Sequence, residues 1–125
     1  MKTETRDNVF SRDDYRCVVC GEHIQTYNNM QIAHRIHKGV TAENHIMQFI
    51  WEHFQKDRSR TWVRDNILEN ANNLLSVCSL KCNDKCNIFF KPVERDALLM
   101  ELIQDALDKE TEVYYKKRID KNKKK

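Results

Sequence analysis

Two short-spaced cysteine pairs, Cys17-Val18-Val19-Cys20 and Cys78-Ser79-Leu80-Lys81-Cys82, stand 57 residues apart, and the segment between them carries Ala33-His34-Arg35-Ile36-His37. Thiolates two or three residues apart can reach one ion from a single turn or knuckle, and two such pairs complete a tetrahedral zinc site of four sulfurs. A site filled by four sulfurs has no open coordination place, so its role is to fold the chain. It would tie the intervening residues at both ends and fix them around an imidazole, a group that is neutral near pH 7 and able to accept a proton from water. Cys86, a second four-residue step beyond Cys82, is a rival ligand; its plainer reading is a spare thiol or a small core residue.

Short elements must position these groups. Residues 5–13 read as a helix with Val9 and Phe10 inward, leading through Asp13-Asp14-Tyr15 into the first cysteine pair, where Gly21 suits a tight turn at positive φ. Residues 30–36 alternate, which predicts a strand with Ile32 and His34 on one face and Ala33 and Arg35 on the other; Gly39 ends it. Thr41 can cap a helix over 41–57, in which Ile46, Phe49, Ile50, His53 and Phe54 recur at helical spacing. Trp62, Val63, Ile67 and Leu68 continue helical packing, and residues 74–77 are a short apolar run that reads as a second strand entering Cys78. A helix follows from Ser79 to Asn87. Pro92 suits the first turn of a long final helix, 93–115, with Leu99, Leu102, Ile103, Ala106, Leu107 and Val113 in its buried stripe.

A chain of 125 residues with 40% apolar content makes one domain, here 1–115 with a helical insert at about 41–68, and its thin core would gain from a metal staple. Seven basic residues against Asp120 place +6 on residues 116–125 and leave −3 on residues 1–115. That balance excludes a uniformly basic nucleic-acid binder and requires any cationic surface on the body to be local. The lysine tail either attracts phosphate in a salt-dependent way or is a solvated, disordered terminus. Five cysteines grouped as short pairs fit reduced thiolates on metal better than a disulfide framework. With neither a signal-like apolar run nor a bilayer-length segment, the expectation is a soluble cytoplasmic protein.

Residues 6–23, from Arg6-Asp7-Asn8-Val9-Phe10 to Cys20-Gly21-Glu22-His23, resemble the entry to an HNH endonuclease. The stretches Ile32-Ala33-His34-Arg35-Ile36 and Asn72-Asn73-Leu74-Leu75-Ser76-Val77-Cys78-Ser79-Leu80-Lys81-Cys82-Asn83 resemble that family's central histidine motif and its closing asparagine–cysteine motif. The resemblance covers roughly residues 6–90, interrupted by the insert. It implies an α+β fold, mainly helical, around a small ββα-metal element with a structural zinc knuckle. It implies a general base at His34, a structural asparagine at Asn73 holding the loop between the strands, and a catalytic-metal ligand at Asn83, joined by Asn87 on the same helical face. The catalytic ion would be Mg²⁺ or Mn²⁺, separate from the structural Zn²⁺ on Cys17, Cys20, Cys78 and Cys82. DNA is the implied substrate, with Arg35 and Lys38 as phosphate contacts.

This chain departs from the family pattern at two places. Many members carry an aspartate or histidine directly before the base, where this chain has Ala33, and His37 is a candidate to compensate. The second cysteine pair has three intervening residues instead of two. The plainer readings are that His23, His45 and His53 are surface or helix-packing side chains, that His37 is merely exposed, that Asn72 is a turn residue, and that Trp51 and Trp62 belong to the core. So small a chain offers little surface for sequence readout, so specificity would come from a homodimer through helix 41–57 or the final helix, from a partner in a larger nuclease, phage or defence assembly, or be low. Two other functions compete with hydrolysis: a zinc-stapled nucleic-acid-binding module without catalysis, motivated by Ala33, and a protein-interaction zinc domain, motivated by the negative body.

Overall fold

The computed structural model describes residues 1–24 and 30–123; Lys124 and Lys125 of the basic tail lie outside the described residues. Helix α1 (Thr3–Arg12) leads to strand β1 (Gln31–His34), helix α2 (Val40–Phe54) and the short helix α3 (Arg60–Val63), which passes directly into a π turn (Arg64–Leu68). A 3₁₀ turn (Ala71–Asn73) then enters strand β2 (Leu74–Val77), followed by helix α4 (Leu80–Asp84) and the long helix α5 (Pro92–Lys123). The fold is thus mixed and mostly helical, with one two-stranded antiparallel sheet in which His34 lies opposite Leu74 and Gln31 opposite Val77.

Two apolar clusters divide the molecule. The helical one gathers Ile46, Phe49 and Ile50 of α2, Val63, Ile67 and Leu68, and Leu99, Leu102 and Ile103 of α5, together with Ile36. The smaller one surrounds the cysteines: Phe10 of α1, Ile24, Met30, Ala33 of β1 and Val77 of β2 pack with Cys17, Cys82 and Cys86. Charged side chains close the seams between elements. Buried Glu43 of α2 takes the Arg64 guanidinium at 3.0 Å, with that of Arg60 at 3.9 Å, tying α2 to α3 and the π turn. A buried carboxylate is tolerable only when it is paired in this way. Arg12, at the end of α1, donates to the carbonyls of Ala71 and Leu74, and the Asp13 carboxylate accepts the Ser76 N–H at 2.9 Å, so α1 is fastened to β2.

At four of the boundaries that differ from expectation the reason is local and visible. Helix α2 starts at Val40 with Gly39 (φ 139°) as its N-cap and no side-chain cap, so Thr41 lies inside the helix. It stops at Phe54 because Gln55 turns left-handed (φ 52°) and closes its N–H on the Trp51 carbonyl. Helix α4 ends at Asp84, short of Asn87. There the Cys86 N–H bonds to the Asn83 carbonyl and the Ile88 N–H to that of Arg35, which draws the chain across β1. Helix α5 continues through residues 116–123, which were expected to be disordered: nothing between Val93 and Lys123 is Gly or Pro, and Lys and Arg are good helix formers.

The inner stripe of α5 ends before its helical structure does. No described residue beyond Leu107 is buried, and Val113 is 53% exposed. Trp51 is likewise exposed (58%) and outside the core, whereas Trp62 packs against the helical cluster and donates from Nε1 to Glu110. No helix among the described residues is long and apolar enough to cross a membrane. The division along α5 is directly measurable. Leu102→Ala should lower the unfolding free energy in urea by about 2–5 kcal/mol, while Val113→Ala should change it by less than about 0.5 kcal/mol.

Candidate functional site

The sulfurs of Cys17, Cys20, Cys78 and Cys82 all lie within 4.8 Å of one another. Cys20 and Cys78 approach to 3.6 Å, and Cys78 and Cys82 to 3.8 Å. All four are free thiols. A tetrahedron of sulfurs with metal–sulfur bonds of about 2.3 Å has edges of about 3.8 Å, so the spacing is that of a metal site. The local backbone explains how they meet. Gly21 (φ 78°) turns the chain so that its N–H bonds to the Cys17 carbonyl, and the Val18 N–H bonds to the Ser76 carbonyl on β2. On the other side Ser79 caps α4 by accepting the Cys82 N–H. Cys78 therefore sits just after a strand and Cys82 in the first turn of a helix, and the three-residue spacing closes the pair.

The electrostatics of the cluster suit a cation. Burial pushes the Cys17 thiol up, but backbone N–H groups of Cys20, Val19 and Cys78 directed at its sulfur outweigh that and bring its pKa down to about 6. Cys78, crowded by the thiol of Cys20 and then by burial and its other sulfur neighbours, is pushed up to about 12. One thiolate forms readily and the next resists, a conflict that a divalent ion resolves by neutralising several thiolates together. Cys86 stays outside the four, buried, with its thiol donating to the Cys82 carbonyl.

His34 stands at the end of β1, where its Nε2 lies 3.2 Å from Oε1 of Glu69. The same oxygen takes the Lys38 ammonium at 3.1 Å. Both His34 and Glu69 are shielded, with side chains 13% and 16% exposed. Burial is the main cause that holds the imidazole below its ordinary pKa; Glu69 opposes it, and the charges of Lys38 and His37 reinforce it. Glu69 was absent from the sequence-based candidates. Its partner is 35 positions away, and a single Glu between a helical run and an asparagine cluster has no distinguishing periodicity.

Asn73 is fully buried, and its amide is fully used. Oδ1 accepts the Ile36 N–H at 2.9 Å, while Nδ2 donates to the carbonyls of Ile36 (3.2 Å) and Leu68 (2.9 Å). One side chain thus bolts the turn after β1 to the segment entering β2. Asn83, on α4, is half-buried and its side-chain amide bonds to nothing among the described residues; α4 packs against β1.

The other candidates are placed differently. Asn87 lies beyond the end of α4, so it shares no helical face with Asn83, and its Oδ1 caps the turn by accepting the Phe89 N–H. With exposed His37 and Lys38 it lines a hollow of about 300 Å³ floored by Ala42 and Phe89. Arg35 is half-buried, and its charge reaches the Cys86 thiol. Lys38 is 52% exposed but ion-paired to Glu69, so a phosphate would compete for it. Among the described residues no second group of three His, Cys, Asp or Glu side chains converges as the four cysteines do.

The chain matches no family model, no curated protein and no solved structure. Its chemistry therefore rests on these residues. Elemental analysis of the purified protein should find one tightly held divalent ion per chain, which Cys82→Ser loses and Cys86→Ser keeps. Asn73→Ala, which strands the buried Ile36 N–H and Leu68 carbonyl, should cost about 2–4 kcal/mol in chemical denaturation.

Proposed function

We propose that the protein is a metal-dependent endonuclease of the HNH type that hydrolyses DNA phosphodiester bonds, with His34 as general base and a structural zinc on Cys17, Cys20, Cys78 and Cys82. The observation that carries the reading is the arrangement around β1. A shielded imidazole of lowered pKa ends one strand, a buried asparagine clamps the chain beside it, and a short helix bearing Asn83 packs on that strand, all next to four convergent thiols. In this reading His34 takes a proton from the water that attacks phosphorus, and the bond to the leaving 3′ oxygen breaks. Arg35 and Lys38 steady the flanking phosphates, Lys38 through the ammonium hydrogens that its contact with Glu69 leaves free.

When bound, Mg²⁺ or Mn²⁺ would stabilise charge on the reacting phosphate and the leaving oxygen. Asn83, with its unpartnered amide, suits that ion best, and exposed His37 is available as a second ligand. Asn87 is less suited because its amide oxygen is engaged. The donor set supplies no carboxylate, so the substrate phosphate must contribute much of the anionic charge the ion needs. Ala33, buried at 0% exposure among the sulfur-side residues, adds nothing to it. That feature favours a second reading, a zinc-stapled module that binds nucleic acid without cutting it.

Supercoiled plasmid incubated with a panel of divalent ions separates the two. Hydrolysis predicts nicking or linearisation with Mg²⁺ or Mn²⁺, lost by at least about 100-fold in His34→Ala with little change in the thermal transition. A shift of labelled DNA without breaks under every ion selects the binding module. Because the base form of an imidazole exists above its pKa, and burial lowers that of His34 from 6.5, cleavage should persist below pH 6.5 and fall only on further acidification.

A further inference from the structure

We infer that Glu69 is the positioning residue of the His34 base: its Oε1 accepts the Nε2–H, fixing one tautomer and leaving Nδ1 as the proton acceptor, while Lys38 holds the carboxylate in place. The inference rests on the reading of His34 as a proton acceptor.

Three independent features support it. The first is chemical. Burial alone would raise the pKa of Glu69, but the Lys38 ammonium and the His34 imidazole together bring it below the ordinary range, so the group is a carboxylate at neutral pH. A carboxylate only accepts hydrogen bonds, so a neutral imidazole nitrogen 3.2 Å from it must be the one that carries hydrogen. The second is structural. Glu69 follows the π turn, and its own N–H closes on the Arg64 carbonyl five residues back, a wider step than an α-helix makes. Such turns are frequent at functional sites.

The third is a shared support. The Asn73 amide binds Leu68, the residue before Glu69, and Ile36, two residues after His34. The imidazole and the carboxylate are therefore held from the same buried group, which sets their separation through backbone and not through flexible side chains. The second oxygen of Glu69 is buried without a hydrogen-bond partner among the described residues, so both Lys38 and His34 converge on the first.

The proton balance is simple. As the water O–H bond breaks, its proton goes to Nδ1 and its oxygen forms the new bond to phosphorus, while the bond from phosphorus to the 3′ oxygen breaks and that oxygen takes a proton from solvent. Glu69 keeps its charge, takes no proton, and stabilises the imidazolium until solvent removes the proton. Lys38 is the cation acting on the same ring, His37 adds to it only when protonated, and Glu69 is the anionic group opposing them.

Nitrogen-15 imidazole spectra of the full-length, metal-loaded protein across pH test this without relying on turnover. The wild type should show His34 as the Nε2–H tautomer. Glu69→Ala should scatter the tautomers and lower the His34 pKa further. Glu69→Gln, which keeps an acceptor oxygen but no charge, should retain the tautomer and still lower the pKa. Under cleavage conditions Glu69→Ala should lose about 10–100-fold in kcat with DNA binding no weaker, because Lys38 is freed for phosphate, and Glu69→Gln should lose less. An Nδ1–H tautomer in the wild type, or a His34 pKa that ignores both substitutions, overturns the assignment. Should Glu69→Ala fail to fold, the Glu69→Gln titration decides. If the wild type cuts nothing, the nuclease reading fails, and the spectra still judge the Glu69 contact.

Discussion

Convergence of four thiols from two ends of a 57-residue excursion is the constraint on which the rest of the molecule depends. A two-stranded sheet of four residues per strand has little stability of its own. Here each strand adjoins a sulfur ligand or its immediate support. The Val18 N–H is bonded to Ser76 in β2, Cys78 follows β2 directly, and Cys82 opens the helix that packs on β1. Holding the cysteines together therefore holds the strand pair, and with it the position of His34. The apolar residues around the cluster, from Phe10 to Cys86, form a core too small to do this alone.

A metal staple fixes the ends of a loop but not its interior, and the interior here is long. Asn73 supplies what the sulfurs cannot. Its amide uses both donor hydrogens and its oxygen on three backbone groups of two segments, and it does so at 0% exposure, where an unmade hydrogen bond would be costly. This is a demanding geometry, and it leaves little freedom in how the turn after β1 meets the chain entering β2. The excursion can then carry α2, α3 and the π turn without disturbing the strands, because the insertion leaves and returns through one buried side chain.

The four converging cysteines and both strands were legible in the sequence because their signals are local: paired cysteines, alternation around His34, and a short apolar run before Cys78. The amphipathic stretches gave α2 and the packed part of α5 for the same reason. What could not be read depends on distant partners. Glu69 is an unremarkable acid until folding brings it to His34, and Glu43, which looks like a surface residue of α2, is buried by two arginines of the next element. The end of α4 escaped because it is set by Cys86 turning toward the sulfur core and Ile88 bonding to Arg35, not by a helix-stopping residue. Val113 continued the hydrophobic register of α5, but it only edges an open hollow beside Thr5 and Asn8 and stays half exposed. Periodicity reports which face could be buried, not whether a partner exists.

The two apolar clusters explain why the imidazole stands where it does. Ala33, directly before His34, belongs to the cysteine cluster; Ile36, two residues after it, belongs to the helical one. His34 sits on the boundary, riding on the strand beside the cysteine cluster while its carboxylate partner comes from the end of the helical unit. Neither unit alone contains the pair. The site is complete only when the units are docked, and Asn73 contributes by bonding Ile36 and Leu68 of the helical cluster at the point where the chain enters β2. A shielded, correctly spaced imidazole–carboxylate pair is thus a consequence of how the two cores meet, and any change that loosens either core should reach the histidine before it unfolds the chain.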